Sequence, residues 1–387
     1  MTTVAVLGAA GTIGPAIVRD LAEGDGADRL VLLDRAADRV EAVAAAHGGG
    51  QAKAEVVDAA DPAGLAAALQ AAGASVLVNA ASYRLNLSAM EGALGAGCHY
   101  VDLGGLYHTT RRQLGLHDRF AAAGLTAVLG LGASPGKTNL LAAWAAAQLD
   151  EVHALHVSAA ATDPTPPGHT GLSAPYALET ILDELTLPAV VLRDGQAGEV
   201  PALADGGDVE FPPPIGRRRS VYTLHSELAT FPDTFPGLRE SSFRLSLAPA
   251  LAERVELLAR CGLADLDPLD VDGVTVTPRS VLLACVARRG AAVPPSNRTT
   301  AVHMVDAEGV ADGRPATVRA TAVTVPHERW GLGGGVVSTA APAAEAARRL
   351  GRGEVAGTGV LAPEQAFQAE PFLDALGATG CSVSLSR

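Results

Sequence analysis

The stretch Val4-Ala5-Val6-Leu7-Gly8-Ala9-Ala10-Gly11-Thr12-Ile13-Gly14, closed off by Val31-Leu32-Leu33-Asp34, reads as a strand, a glycine turn, a helix and a second strand tipped by a carboxylate. That succession is a dinucleotide-binding unit. Gly8 can take the angles of a tight turn, Gly11 clears the place where a pyrophosphate approaches, and Gly14 lets the helix close on the strand. Around Ala10, Thr12 and Ile13 the free N–H groups of the helix start, aided by its dipole, favour phosphate. Asp34 lies 20 residues beyond Gly14, where an acid at a strand end can accept from a ribose diol. The spacing is G-x-x-G-x-x-G, looser than the standard fingerprint. Asp34 argues for NAD, whereas Arg35 and Arg39 beside it keep NADP open.

Outward from this unit the alternation continues. A helical pattern runs over 39–46, a strand over 54–57 ends at Asp58, and a helix spans 62–72. Next come a strand over 75–78 ending at Asn79-Ala80, a helix over 86–96, a strand over 100–103, a helix over 109–123 and a strand over 126–129. Six strands alternating with helices specify an α/β fold, a Rossmann-type doubly wound parallel sheet. Ligands of such sheets bind beyond the carboxyl ends of the strands, so Gly8–Thr12, Asp34, Asp58, Asn79–Tyr83 and Asp102–Tyr107 should share one rim. Asp58 suits an adenine contact, and Asn79–Tyr83 fall nearer the nicotinamide. A helix over 138–149 opens a second domain of strands and loops. Alanine-rich helices near 339–350 and 371–378 return to the first. The expected division is 1–130 plus about 340–387 for the nucleotide domain and 131–339 for an inserted α/β substrate domain.

With 48% hydrophobic but only 4% aromatic residues, the cores should be built of Ala, Val and Leu. A formal charge of −13 disfavours a nucleic-acid partner, and the cluster Arg217-Arg218-Arg219 is too short to reverse it. No apolar run reaches membrane-spanning length and no leader precedes the first strand, so a cytoplasmic protein is expected. Cys98, Cys261, Cys285 and Cys381 are scattered without metal-ligand spacing, so reduced thiols and no metal site are expected.

Three tempting motifs fail on chemistry. Gly130-Leu131-Gly132-Ala133-Ser134-Pro135-Gly136-Lys137-Thr138 lacks the first glycine of a phosphate loop, and Pro135 removes a backbone donor. Its G-x-S-x-G core fails as a hydrolase elbow because the residue after the serine has no N–H for an oxyanion. None of the five tyrosines has a lysine four residues on, which excludes the short-chain reductase pair. The segment reads instead as a helix start capped near Ser134, with Asn139 facing out of the first turn and able to hold a carboxylate. His99, His108 and His225 are singled out by polar neighbours at expected strand ends.

At these residues the chain resembles the saccharopine dehydrogenase family, which includes saccharopine reductases and lysine 6-dehydrogenase-like enzymes. GAAGTIG, CHYVDLGGLYH (98–108) and GLGASPGKTNLLA (130–142) carry the resemblance. So do PYALETILDELTLPAVVLRDG (175–195), YTLHSELATFP (222–232) and the ending GVLAPEQAF…PFLDALGATG. The resemblance implies a substrate domain inserted into a Rossmann domain, commonly a homodimer, and hydride transfer at a carbon bearing nitrogen on an amino acid or amine. It places the cofactor on Gly8, Gly11, Thr12, Ile13, Gly14, Asp34, Asp58, Asn79 and Ala80. It makes Tyr83, Asp102, Gly104, Tyr107, Asn139, Tyr176, His225 and Glu227 substrate-site candidates. Asp102, Tyr107 and His108 are the candidates for the proton step. Lys137 departs from the uncharged residue expected in the motif and would recruit an extra carboxylate or repel a second amine. Lysine and saccharopine are the nearest family substrates. The rivals are an imine reductase of secondary metabolism or polyamine synthesis, and a cofactor-binding protein without turnover.

Overall fold

The computed structural model describes residues 2–162, 177–247, 249–290 and 296–387. β1 (Thr3–Leu7), β2 (Arg29–Asp34), β3 (Ala52–Val56), β4 (Val76–Asn79), β5 (His99–Asp102), β6 (Thr126–Val128) and β17 (Gly359–Leu361) form one sheet. Its order is β17-β6-β5-β4-β1-β2-β3, with every pair parallel. The chain reverses direction across the sheet between β1 and β4, which opens the crevice where such folds bind nucleotides. Here the sequence expectation of six strands is one short, because the three residues of β17 return from the far end of the chain.

The connecting helices are α1 (Gly14–Glu23), α2 (Ala37–His47), α3 (Pro62–Ala72), α4 (Asn86–Ala96), α5 (Leu106–Leu114) and α6 (His117–Ala122). α3 begins where local chemistry dictates: Asp61 accepts from the N–H groups of Ala63 and Gly64, and Pro62 occupies the first turn. The single helix expected over 109–123 is divided into α5 and α6 at Gly115-Leu116. Both faces of the sheet are covered. Ala5, Leu7, Val31, Leu33, Tyr100 and Phe120 lie in one core, and Val4, Val6, Leu30 and Leu32 in the other.

α7 (Lys137–Ala146) leads into the second sheet, made of β7 (Glu151–Thr162), β8 (Ala189–Arg193), β9 (Gln196–Val200), β10 (Asp205–Phe211), β11 (Gly216–Tyr222), β12 (Glu240–Ser246), β15 (Thr300–Ala311), β16 (Arg314–Thr324) and β18 (Cys381–Ser386). The main order is β10-β11-β12-β7-β15-β16-β18, with β8 and β9 attached at β12. β7 and β12 are parallel and the other pairs antiparallel. α8 (Leu178–Thr186), α9 (Phe231–Thr234), α10 (Pro249–Arg260) and α11 (Pro278–Gly290) decorate this domain, with a hairpin of β13 (Leu269–Val271) and β14 (Val274–Val276). α12 (Gly334–Gly351) packs back on α1. α13 (Pro363–Ala366) and α14 (Ala369–Ala375) pack on α7. The carboxyl-terminal segment is shared between the domains, since β17 joins the first sheet and β18 the second. The assignment of all of 340–387 to the nucleotide domain is corrected accordingly.

Candidate active site

At the nucleotide rim, Gly8 has φ +75°, and a Cβ there would lie 2.6 Å from the Ala81 nitrogen. At Gly11 the nearest atom to such a Cβ is the Gly8 oxygen at 3.1 Å, and both Gly11 and Thr12 are exposed. Ile13, the residue that precedes α1, offers no side-chain cap, so the first N–H groups of the helix are left for a ligand. Asp34 braces the turn: one oxygen accepts the Ala10 N–H at 3.0 Å, the other the Ala36 N–H at 3.1 Å. Arg35 and Asp58 are exposed on the same rim, Asp58 accepting from the Ala60 N–H at 2.9 Å. Ala80 is half-buried next to Gly8. These residues fit a nicotinamide dinucleotide: a cradle without side chains, a bare helix start, and a carboxylate at the second strand end.

Beneath the rim runs a buried polar network. Asn79 turns inward and donates to Asn86 Oδ1 at 2.9 Å and to the Tyr100 hydroxyl at 3.0 Å. Asp102 is fully buried and completely engaged. Its Oδ1 accepts from Gly104 and Gly130 at 2.9 and 2.7 Å, and its Oδ2 from Tyr100 and Gln113 at 3.0 and 2.6 Å. Burial raises its carboxyl above the usual range, and these four donors oppose the shift. Such a group shapes the rim more readily than it shuttles a proton. Gly104, at φ +122°, lies against Pro135, where a Cβ would come within 2.7 Å of Cγ. The strand end is thereby pinned to the 130–136 loop. Tyr107 and His108 begin α5, half-buried and exposed, with rings edge to face at 5.3 Å.

Tyr83 does not stand free at the nicotinamide end. Its hydroxyl donates to Asp183 on α8 at 2.6 Å, and Arg84 reaches the same oxygen at 2.6 Å. Arg279 of α11 binds the other Asp183 oxygen. Burial, then Asp183, raise the Tyr83 hydroxyl well above its ordinary value.

The start of α7 also differs from expectation. No side chain caps Gly136 from upstream; Asn139 folds back, and its Oδ1 accepts the Gly136 N–H at 2.9 Å. Its amide donates to Glu364 at 2.8 Å, Thr230 reaches the other Glu364 oxygen at 2.7 Å, and Thr138 donates to Glu227 at 2.7 Å. Two of the protein's own carboxylates thus occupy the positive end of the helix, where an anion is most stable. His225 stacks on Phe243 at 3.5 Å, with Nδ1 3.2 Å from Glu227 and Nε2 3.7 Å from Glu184. Burial pulls its ring down, but Glu227 and Glu184 outweigh it, leaving the imidazole above its usual value. Burial, with a smaller push from Glu227, drives the Glu364 carboxyl up against its donors.

Lys137, 1% exposed, points away from this cluster and donates to Thr324 at 3.1 Å and to Ser338. Burial lowers its ammonium. Tyr176 lies outside the described residues. Glu364, Glu184, Asp183 and His303 escaped the sequence reading. A cavity of about 320 Å³ lined by Asp20, Trp330 and Arg348 lies at the far end of α1 from the glycine turn and is no part of this site.

The family model for the saccharopine dehydrogenase NADP binding domain matches residues 4–128, and that for the saccharopine dehydrogenase C-terminal domain matches 132–381. The chain belongs to the saccharopine dehydrogenase family. It is an NAD(P)-dependent dehydrogenase of that family. A carboxyaminopropylagmatine dehydrogenase from Synechocystis is 26% identical over 325 residues, covering 82% of this chain and 80% of its own. A carboxynorspermidine synthase from Vibrio alginolyticus is 25% identical over 349 residues, covering 85% and 81%. Apo saccharopine dehydrogenase (L-Glu forming) from Saccharomyces cerevisiae shares the fold at TM-score 0.74 and 16% identity, with full coverage of both chains. The homospermidine synthase of Legionella pneumophila, solved with NAD, does so at 0.68 and 12%, covering all of this chain and 91% of its own. Among the described residues no helix is long and apolar enough to cross a membrane.

Proposed function

We propose that this dehydrogenase works at the C–N bond of an N-alkylated amino acid, in the reducing direction joining an aliphatic amine to a small carbonyl compound through an imine. The observation that carries this reading is the set of carboxylates around the start of α7. Glu184, Glu227 and Glu364 converge where a simple dicarboxylate would be repelled and a cationic amine tail would be held. The naming of the curated relatives as carboxynorspermidine synthase and carboxyaminopropylagmatine dehydrogenase supports it, which favours an amine of the polyamine type over lysine.

Bound on the Gly8–Gly14 turn, the nicotinamide dinucleotide supplies hydride to carbon or takes it back. The chain's own residues hold the substrate and the proton. Since Asp102 is committed to four donors, Tyr107 and His108 are left at the rim to pass a proton to nitrogen as the C=N bond becomes CH–NH. Gly104 and the Asn79–Asp102 network fix the turn that presents them. The test is a matrix of diamines, agmatine and lysine against ω-oxo amino acids and 2-oxoglutarate, followed by loss of reduced-nicotinamide absorbance. Turnover with a diamine and an ω-oxo amino acid is expected. Turnover confined to lysine with 2-oxoglutarate would replace the polyamine reading by a saccharopine one.

A further inference from the structure

On the face of the second sheet that packs against α7, one buried ring nitrogen lacks a hydrogen-bond partner among the described residues. His303 on β15 is paired in register with Ala159 of β7 and Ala322 of β16. The row on one side along that face is Ala161, Ala301 and Thr324, and on the other Val157, Val305 and Ala320, so five of its eight cross-strand and same-face neighbours are alanines. Ala161 is exposed whereas Ala159, Ala301 and Ala322 are buried, which leaves the row open at one end. His303 is only 6% exposed, yet among the described residues nothing bonds its Nδ1. A buried orphan of this kind calls for an explanation.

The groups around it supply one. Lys137 and His225 both push the His303 imidazole down, adding to the larger effect of burial, so the ring is held neutral; His225 is itself paired with Glu227 and Glu184. Lys137 spends two of its three donors on Thr324 and Ser338, and no carboxylate pairs with it among the described residues. A buried ammonium without an anion is costly. Glu227 and Glu364, the carboxylates bonded to the next two residues of α7, are already held by Thr138, Asn139 and Thr230.

We propose that the alanine-floored face around His303 is the carboxylate subsite of this enzyme, with Nδ1–H of His303 donating to the substrate carboxylate and Lys137 supplying the balancing positive charge. The inference rests on the reading of the substrate as an amine-bearing amino acid. The carboxylate lies on the Lys137 side of α7, and the amine tail on the Glu227 and Glu364 side. Lys137 acts through the field and through Thr324; His303 makes the contact.

The test is calorimetric binding to the NAD-loaded protein of two probes differing only in the carboxylate, L-2,4-diaminobutyrate and 1,3-diaminopropane. The wild type should bind the diamino acid the more tightly. Lys137→Met and His303→Leu should each weaken the diamino acid about tenfold or more, leaving the diamine and NAD unchanged. His303→Asn, which keeps a donor near Nδ1, should restore much of the loss. Ala161→Leu, at an exposed position, narrows the open end and should weaken the diamino acid even if the buried variants fold poorly. Equal weakening of both probes, or a wild type that binds the diamino acid no better than the diamine, overturns the subsite. If amines turn over but the diamino acid keeps its advantage in Lys137→Met, the subsite falls and the function stands. A Lys137-dependent preference without turnover on any amine and carbonyl pair does the reverse.

Discussion

Gly11 and Gly14 are three residues apart in one turn and should fail differently when substituted. A Cβ at Gly14 would lie 2.4 Å from the Gly8 oxygen and 2.6 Å from that of Ala9, so the helix itself would have to move. At Gly11 the side chain points into the open rim. Gly11→Val should therefore abolish NAD and NADP binding in titrations while leaving the melting temperature near that of the wild type, and Gly14→Val should lower stability. A folded Gly11→Val protein with unaltered nucleotide affinity would remove the turn from the cofactor site. Asp34 carries the choice between cofactors. Its carboxylate both braces Ala10 and repels a 2′-phosphate, against the exposed Arg35 and Arg39. NAD should bind better than NADP, and Asp34→Ser should shrink that preference by about tenfold, or about 1.4 kcal/mol. A wild type preferring NADP would show that the arginines prevail.

Between elements, the junction of the rim with α8 and α11 depends on one carboxylate. Asp183→Ala leaves Arg279, itself buried, with Ala264 and Thr186 but no anion, and also releases Tyr83 and Arg84. Breaking a buried pair in this way costs about 3–5 kcal/mol, measurable as a lowered urea midpoint; a loss below about 1 kcal/mol would mean the charges are solvated. At the α7 junction the effect is one of pH. The Glu364 carboxyl is raised from its ordinary 4.5, so the folded protein keeps a proton that the unfolded chain releases earlier. Stability present in acid is lost as pH climbs from about 4.5 through the raised value, at up to about 1.4 kcal/mol per pH unit for this group. Asp102 and Asp20 shift in the same direction. Glu364→Gln should flatten, not abolish, that decline in denaturation curves between pH 4.5 and 8, and identical slopes would refute the assignment. These junctions also mark where the sequence stopped being legible. α3 and α4 could be read to the residue because Asp61, Pro62 and the flanking turns are local signals. Asn139 with Glu364 and Tyr83 with Asp183 are separated by 225 and 100 positions, beyond any local pattern. His303 stands in an apolar strand and reads as a core residue, while β17 is too short to register.

Across the whole molecule the chain crosses between the sheets more often than a two-domain division suggests. It leaves the first sheet through α7, returns along α12 and β17, and ends in the second sheet as β18. One continuous apolar core runs from Val4 and Ile17 through Leu140 and Ala343 to Val157, Phe243 and Val305. With the core and the terminal strand shared, neither sheet can lose its packing without exposing the other's apolar face. Unfolding should therefore be a single transition, unlike the independent melting usual for chains of this length. Tryptophan fluorescence, from Trp144 in α7 and Trp330 beside α1, should coincide with far-UV circular dichroism in urea. NAD at about a hundred times its Kd should shift both probes together by about 2.7 kcal/mol, because the nucleotide binds only the folded turn. Two separated transitions, with NAD moving only the first, would mean that the sheets fold independently and that the shared core is merely a contact surface.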